Sequence, residues 1–321
     1  MNISDYQWPQ ANELIPHYYS TNNWNSLKSI YDDIEAQLTQ IFGFRALLLP
    51  SARAGISSIL EFSSASRDHL IFAPMYTSYC VWDSICRFSN PTIKFNNEVK
   101  FAITVNKWGY VSQLMKSSDI VLIEDSVDSL VTEPSAIFPL GGDFEIFSLP
   151  KLIASQSGGV VLSKNENYIN WIKETRFQDK ELILTQSLLK YKKIKGELAK
   201  HESPEIHESK NRGLDLYGLE NIISALPNFK INQAKIKERL QIMTNLKRFE
   251  KPKFNYSRLP CVFPLNQLFF DIKKPELFMQ RYFDFNQSLN SPDFSRCWVM
   301  PLHFGINDFI FDKMLSEIII K

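Results

Sequence analysis

The sequence has little of several features that would place it in a specialised class of proteins. Its four cysteines are scattered without a CxxC pair, which predicts neither a disulfide framework nor a zinc site. Its 36 basic and 35 acidic residues nearly cancel, so it has no electrostatic footprint for nucleic acid or an anionic membrane. No apolar run approaches the roughly 20 residues of a membrane span, and the N-terminus lacks a basic start followed by an apolar core. We therefore expect a cytoplasmic protein with reduced thiols, no metal, and no nucleic-acid or membrane partner.

The length predicts two unequal domains. A chain of 321 residues exceeds the roughly 250 to 300 at which a single hydrophobic core stops growing. Hydrophobic residues make up 44% of it and charged residues 22%, which is ordinary for a soluble protein. We expect a large domain over residues 1–240 and a small C-terminal domain over residues 241–321.

The stretch from Arg45 to about Lys164 alternates short β-rich apolar runs with amphipathic or polar segments. This alternation is typical of α/β units under a mostly parallel sheet, and several runs are apolar throughout, as strands buried on both faces are. The pattern predicts an α/β fold with a mostly parallel seven-stranded sheet flanked by helices. The predicted strands are Ala46–Leu49, Leu70–Ala73, Thr92–Phe95, Ala102–Val105, Ile120–Ile123, Glu145–Ser148 and Val160–Leu162.

Beyond Asn165 the apolar residues recur at helical spacing, and after Pro252 the pattern becomes mixed. It predicts a helical connection, an exposed loop and then a small α+β domain. The predicted helices of the connection are Tyr168–Phe177, Leu182–Leu198 and Ile231–Phe249, with the loop over Lys200–Arg212. The predicted C-terminal elements are a strand-like run Val262–Ile272, a helix Pro275–Tyr282, a short run Cys297–Leu302 and a helix Asn307–Ile320.

Three segments that follow predicted strands carry the candidate site residues, because open α/β sheets bind ligands at the carboxyl ends of their strands. The first is Leu49–Ile56, where a strand leads through small residues into a helix. A helix start offers free N–H groups and the positive end of its dipole, so Ala52 and Arg53 on this turn suit a phosphate. Taken alone, such a turn is more often plain packing.

The second and third segments add two carboxylates and a lysine. A predicted strand ends in Glu124 and Asp125, which need a cationic or hydrogen-bonding partner and in other settings cap a helix or bind Mg²⁺. Lys151 follows a later strand, and Gly158-Gly159 opens the next one; a lone lysine there is usually a surface residue. A phosphate cradle, an acid and a lysine in this order are, however, what the chemistry of pyridoxal 5'-phosphate (PLP) requires.

With these segments the sequence resembles the DegT/StrS family of sugar aminotransferases, a branch of the PLP-dependent transferases of fold type I. The resemblance covers about Phe42 to Lys164 and returns in Met300–Ile306, and the spacing from Lys151 to Gly158-Gly159 matches the family pattern. It implies PLP as the cofactor, a large PLP-binding domain and a homodimer with the site at its interface.

The resemblance also implies roles for individual residues. Lys151 corresponds to the lysine that holds the cofactor as a Schiff base and moves the proton, and Asp125 to the acid that keeps the pyridine nitrogen protonated. Ala52 and Arg53 fall on the turn where the family binds the cofactor phosphate. Arg53 fits an atypical subgroup in which this turn carries an arginine.

The segment Ala73–Tyr79 matches the family segment whose aromatic side chain stacks on the cofactor ring, but it departs from the pattern. The commonly aromatic position is Ser78 here. We therefore expect Tyr76 or Tyr79 to supply the ring face, although a tyrosine in such a segment is otherwise an ordinary core residue.

Two further departures affect the cofactor site. Asp128 stands where the family often has Gln or His near the phenolic oxygen, and we expect its acid group to point away or to be hydrogen-bonded elsewhere. Ile146 replaces a phosphate-binding serine, for which Ser148 is the nearest candidate. Asn211 and Arg212 are candidates for the polar pair that the family uses after its central helices, and a solvated loop is at least as good an interpretation.

The resemblance implies an aminotransferase that moves an amino group from a donor such as glutamate to a keto group on a nucleotide-linked sugar, for surface polysaccharide or amino-sugar biosynthesis. Two alternatives stay open: a PLP-dependent elimination or dehydration enzyme, and a catalytically degenerate PLP-fold binding or scaffold protein. Lys151 and Asp125 argue against degeneracy, whereas Ser78 and Ile146 argue for it. His303 is expected to be a structural histidine rather than a base.

Overall fold

The computed structural model describes residues 7–10, 24–114, 119–181, 183, 185, 212–246, 257–285 and 294–321. Within these ranges no helix has the length and apolar character of a membrane span. The same ranges contain no cluster of three or more His, Cys, Asp or Glu arranged to hold a metal ion.

The N-terminal half of the chain forms one seven-stranded sheet with helices on both faces. Its strands are β1 (Ala46–Leu49), β2 (Leu70–Phe72), β3 (Asn90–Thr92), β4 (Val99–Val105), β5 (Val121–Asp125), β7 (Phe144–Ser148) and β8 (Gly159–Ser163), while β6 (Ser129–Val131) lies outside this sheet. Its helices are α1 (Trp24–Phe42), α2 (Ala52–Phe62), α3 (Tyr79–Cys86), α4 (Leu149–Ile153) and α5 (Glu166–Thr175).

The strand order in the sheet is β1-β8-β7-β5-β4-β2-β3. Strand β8 runs antiparallel to its neighbours β1 and β7. The other neighbouring strands in the sheet pair in parallel. The predicted mostly parallel seven-stranded sheet is therefore confirmed. The carboxyl ends of β4, β5 and β7 lie side by side, which brings Val105, Asp125 and Ser148 to one edge of the sheet.

The sheet is buried on both faces, as its continuously apolar strands predict. Successive side chains of a strand point to opposite faces. Accordingly, Leu48 and Val160 pack into a core cluster with α1 and the C-terminal strands, while Leu47, Leu49 and Val161 pack against α2, α3 and α5 on the other face.

The C-terminal part consists of two helices followed by short strands. Its elements are α6 (Leu216–Ala225), α7 (Asn228–Thr244), β9 (Arg258–Pro260), β10 (Val262–Asn266), β11 (Phe270–Ile272), β12 (Met279–Asp284), β13 (Phe294–Pro301), α8 (Asp308–Ser316) and β14 (Ile318–Ile320). Strands β10, β13 and β12 form an antiparallel sheet, and β11 pairs with β14. Strand β9 pairs with β6, which follows β5 outside the large sheet, and so joins this part to the N-terminal half of the chain.

Several element predictions were wrong in type or extent. The predicted helix Pro275–Tyr282 is a single 3₁₀ turn, Pro275–Leu277, followed by strand β12, because Met279 to Asp284 pairs along its whole length with β13. The predicted run Val262–Ile272 is broken by a turn into β10 and β11.

Boundaries also moved at three elements. The strand predicted at Thr92–Phe95 is β3, which begins two residues earlier and ends three residues earlier, and the closing helix ends at Ser316 before a short strand. The helix predicted to begin at Ile231 begins at Asn228 and ends at Thr244. The predicted helix Leu182–Leu198 and the predicted loop Lys200–Arg212 lie almost wholly outside the described residues.

Candidate active site

Lys151 lies at the carboxyl edge of the sheet, on the short helix α4 that follows β7 directly. Pro150 is the second residue of α4, where its fixed φ suits a helix start and its missing N–H costs no hydrogen bond. The helix ends at Ala154, whose left-handed conformation (φ 59°) turns the chain back toward β8. The backbone N–H of Leu149 donates to the carbonyl oxygen of Gly158 at 3.0 Å, which ties the lysine segment to the start of β8.

The amine of Lys151 is paired with Asp128. Its Nζ lies 2.7 Å from Oδ1 of Asp128, and the side chain of Asp128 is only 12% exposed. Asp128 belongs to a tight turn between β5 and β6, in which the N–H of Ser129 donates to the carbonyl oxygen of Ser126 at 3.0 Å. Of the two expectations for Asp128, the structure shows the hydrogen-bonded one: its carboxylate does not point away but is bonded to the candidate Schiff-base lysine itself.

The electrostatic balance at Lys151 favours its charged form. Burial lowers the pKa of its amine, but the carboxylate of Asp128, its hydrogen bond and the charge of Asp125 together outweigh burial, so that the pKa lies above its usual value. In the protein without a ligand, Lys151 is thus an ammonium group held by an acid.

Asp125 is the last residue of β5 and is buried. Burial raises its pKa to about 6, and the charge of Asp128 adds to this, while Lys151 and a 3.1 Å hydrogen bond from the N–H of Val127 act in the opposite direction. An acid in this state is stabilised by a nearby cation. Asp125 and Lys151 therefore lie close enough for each charge to act on the pKa of the other.

The predicted phosphate turn lies against the start of β8. Ser51 caps α2, with its Oγ accepting from the N–H of Ala54 at 3.1 Å. A Cβ on Gly159 would lie 2.2 Å from the carbonyl carbon of Ser51 and 2.3 Å from the nitrogen of Ala52, so the two backbones meet at a distance that only glycine permits. The N–H of Gly158 donates to Pro50 O at 2.9 Å.

The close contact of Gly158 and Gly159 with the backbone of residues 50–52 explains why the sequence has two glycines here. The contact fixes the start of α2 beside the segment that carries Lys151. Ala52 is half-buried and Arg53 is exposed at the start of α2. Ser148 is half-buried at the end of β7, directly opposite Gly159 in the strand pairing, and its side chain makes no capping bond to α4. All three predicted residues are thus at the same edge as Lys151.

The segment after β2 carries the residues predicted to stack on the cofactor ring. Ser78 is exposed at the start of α3, and its Oγ lies 3.2 Å from the Sγ of Cys80. Tyr76 instead lines a pocket of about 300 Å³ with Lys107 and Phe283, and its ring contacts Phe294 at 5.6 Å between centroids. Burial, followed by the charge of Asp284, raises the pKa of Tyr76 to about 12, so the residue stays neutral.

A buried ion pair that the sequence did not reveal, Arg258 with Glu145, lies beside the end of β5. Arg258 and Glu145 form an ion pair with both side chains fully buried. Arg258 also donates to the Oγ of Ser126 at 2.6 Å and to the carbonyl oxygen of Ala136 at 2.9 Å, and Glu145 accepts from the N–H of Phe138 at 2.6 Å. Ser126 follows Asp125 directly, so this network holds the end of β5.

A second carboxylate lies beside this network. Glu124 accepts from the N–H of Gly142 at 2.8 Å and from that of Leu140 at 3.2 Å. Burial, and then the charge of Glu145, raises its pKa to about 7. Glu124 is therefore bound within the protein and does not reach the lysine, which leaves Asp125 as the acid of the predicted pair that faces the site.

Trp8 is a further neighbour of the lysine that the sequence did not reveal. Its ring centroid lies 4.6 Å from the Nζ of Lys151. Trp8 belongs to the described N-terminal segment 7–10, far from Lys151 in sequence, and no local pattern links the two.

Other sequence candidates lie elsewhere. Arg212 pairs with Glu61 and stacks on Trp171, at 4.2 Å from its ring centroid, away from the lysine; Asn211 is outside the described residues. His303 is 1% exposed, and its carbonyl oxygen accepts from Arg239 at 2.7 Å, which agrees with a structural histidine.

The groups at this edge fit PLP. Lys151 offers an amine, and Asp125 is a buried acid at the end of β5 that could pair with a pyridinium nitrogen. The start of α2, pressed against Gly159, offers N–H groups for a phosphate. These residues would hold the cofactor by its aldehyde carbon, ring nitrogen and phosphate respectively.

Comparison with known proteins identifies the family and the fold. The family model described as "Putative PLP-dependent aminotransferase" matches residues 34–321. The sequence matches no curated protein. Among solved structures, Helicobacter pylori PseC, an aminotransferase involved in the biosynthesis of pseudoaminic acid, gives a TM-score of 0.59 at 14% identity over 97% of both chains.

Two further structures show the same fold. The aminotransferase TlmJ from Streptoalloteichus hindustanus gives a TM-score of 0.61 at 12% identity, over 97% of this chain and 91% of TlmJ. The sugar aminotransferase CalS13 from Micromonospora echinospora gives 0.53 at 12% identity, over 79% and 80% of the two chains. The predicted resemblance to DegT/StrS enzymes of fold type I is confirmed, and the chain belongs to a family of PLP-dependent aminotransferases, with PLP as its cofactor.

Proposed function

We propose that the chain is a cytoplasmic aminotransferase that moves an amino group from glutamate to the keto group of a nucleotide-linked sugar, in amino-sugar or surface-polysaccharide biosynthesis. The observation that carries the proposal is the pairing of Lys151 Nζ with Asp128 Oδ1 at 2.7 Å, beside the buried acid Asp125. Bound PLP supplies the electron sink that amino transfer requires. The protein supplies the amine, an acceptor for its proton and the acid that faces the ring nitrogen.

In this proposal Asp128 controls the proton on Lys151. An ammonium group is not a nucleophile, so Lys151 must release a proton before it can bind the cofactor. Oδ1 of Asp128 lies within the 2.6–3.2 Å range from which a side chain accepts a proton. With the cofactor bound, Nζ of Lys151 would be the base that removes the proton from the donor's α-carbon.

The sugar acceptor is supported by the solved structures that share this fold. PseC acts in the biosynthesis of pseudoaminic acid, and CalS13 is named a sugar aminotransferase. Their identities to this chain are 14% and 12%, so the acceptor and the donor are our proposal for this protein. A protein that keeps both Lys151 and Asp125 in place has the groups for catalysis and is not expected to be a scaffold alone.

The test is a transfer assay with isotopically labelled glutamate, PLP and a panel of nucleotide-linked keto sugars. We expect labelled nitrogen in a sugar amine, with an equal amount of 2-oxoglutarate, and no transfer by Lys151→Ala. The matched control is Lys173→Ala on α5, a half-exposed lysine whose Nζ lies 3.9 Å from Asp32. Release of ammonia without a labelled sugar would favour elimination, and binding of sugar nucleotides without donor consumption would favour a degenerate protein; either result would contradict the proposal.

We also propose a twofold homodimer. Met75 is 63% exposed and Tyr79 85% exposed, and the next residue, Cys80, is close enough to influence the pKa of Lys151. Exposed apolar side chains beside a site support cover by a second copy of the chain. Sedimentation is expected to give twice the chain mass of 37.3 kDa, and a monomer at micromolar concentration would contradict the dimer.

A further inference from the structure

The amine of Lys151 is held from two sides. Asp128 Oδ1 approaches it at 2.7 Å, and the ring centroid of Trp8 lies 4.6 Å from the same Nζ. A cation over an indole ring is the most favourable of the cation–π contacts of aromatic side chains. A group attached to Nζ in this position would therefore begin beside this ring.

The position of Trp8 is built into the fold by contacts of its neighbours. Pro9 is buried, and a Cβ on Gly305 would lie 2.9 Å from the Cα of Pro9, so the turn after β13 receives the segment only because residue 305 is glycine. On the other side, Gln7 Oε1 accepts from Arg281 Nε on β12 at 3.3 Å. Trp8 itself packs against the core clusters of the C-terminal strands.

Within the described residues, no tyrosine of the 73–79 segment makes a cation–π contact with Lys151. Ser78 occupies the position that is commonly aromatic in the family, Tyr76 lines a pocket with Lys107 and Phe283, and Tyr79 is 85% exposed. Across the part of the chain that the structure describes, the aromatic ring over the amine of Lys151 is that of Trp8.

We propose that Trp8 is a cofactor-contacting residue: its indole supplies the aromatic face against which the pyridine ring of PLP packs when the cofactor is attached to Lys151. Aromatic rings gain binding energy from such contacts beyond the apolar area that they bury. The proposal rests on the proposed role of Lys151, and it assigns to the N-terminal segment a part in binding that neither the DegT/StrS pattern nor the motif of the 73–79 segment provides.

The test compares PLP binding by wild type, Trp8→Phe and Trp8→Leu, measured by absorbance titration at equilibrium. Leucine keeps an apolar contact with the C-terminal strands and removes the ring, whereas phenylalanine keeps a ring. We expect Trp8→Leu to weaken PLP binding about tenfold, equivalent to about 1.4 kcal/mol, and Trp8→Phe by about threefold or less. The matched control is Trp171→Leu, because Trp171 also lies in a cation–π contact, with Arg212, but on α5 away from the lysine.

The outcomes separate this inference from the proposed function. Borohydride reduction and peptide mapping of each protein first show whether PLP attaches to Lys151. If it does, and Trp8→Leu binds PLP as tightly as Trp171→Leu, the role of Trp8 is overturned while the function stands. If wild type forms no adduct on Lys151, the function fails first. Thermal unfolding of each variant without PLP shows whether any loss of binding is a loss of fold.

Discussion

Arg258 and Glu145 form a buried ion pair, and removing its cation is expected to destabilise the fold strongly. Both side chains are fully buried, and Arg258 also donates to Ser126 Oγ at 2.6 Å and to Ala136 O at 2.9 Å. The variant Arg258→Met keeps most of the bulk and removes the charge and these donors. The carboxylate of Glu145 then stays in the core without its cation.

The magnitude follows from this geometry. Removing one partner of a buried ion pair costs about 3–5 kcal/mol, because an uncompensated charge remains behind. An unfolding entropy of about 2.1 cal/mol/K per residue amounts to about 0.67 kcal/mol/K for a chain of 321 residues. A loss of about 4 kcal/mol therefore lowers the Tm by about 6 °C.

The loss should depend on pH. Burial raises the pKa of Glu145, and the Arg258 charge opposes this rise, so the pKa of Glu145 is higher still in the variant. Between the pKa of Glu145 in the unfolded chain and its higher pKa in the folded variant, the folded variant holds a proton that the unfolded chain releases. The stability of the variant therefore falls as the pH rises between these two values. The deficit relative to wild type should be largest at alkaline pH and should shrink as Glu145 becomes protonated.

The assay is thermal unfolding by circular dichroism at several pH values, with Arg87→Met as the control. Arg87 pairs with Asp83 at 2.7 Å on a partly exposed helix, where a pair contributes about 0–1 kcal/mol. Equal losses of Tm in the two variants, or a loss in Arg258→Met that does not change with pH, would refute the reasoning.

Three further changes test the site. Asp128→Asn removes the carboxylate that holds the pKa of Lys151 high, so borohydride-trapped attachment of PLP should reach its midpoint at lower pH; an unchanged pH profile would contradict this. Asp125→Asn removes a buried acid with a pKa of about 6, so at about pH 8 it should raise the Tm of the PLP-free protein, yet weaken PLP binding at least about tenfold; a lower Tm would count against the burial argument. Gly159→Ala places a Cβ 2.2 Å from the Ser51 backbone and should lower both the Tm and the affinity for PLP, as calorimetry and titration can show.

The sheet and the lysine were predictable because their signals are local. Strands such as β5 are continuously apolar, and Lys151 and Asp125 each follow a strand whose end must meet the same edge of a parallel sheet. The Gly158-Gly159 pair is likewise a local mark of a close backbone contact.

What could not be predicted depends on contacts between distant parts of the chain. Arg258 reaches Glu145 across 113 positions, and the ring of Trp8 reaches the lysine from the N-terminus. The predicted helix at Pro275–Tyr282 failed for the same reason: a proline and an acid indicate a helix start, but pairing with β13 makes the segment a strand. The sequence placed Asp128 near the cofactor site, but only the structure shows that its partner is Lys151.

The measurement that tests the central claim most directly is the visible absorption of the purified protein with PLP before and after borohydride reduction, with peptide mapping of the reduced adduct and Lys151→Ala in parallel. We expect a cofactor band that reduction abolishes, an adduct on the peptide that contains Lys151, and neither in the variant. A protein without the band, or with an adduct that persists in Lys151→Ala, would contradict the assignment of this site.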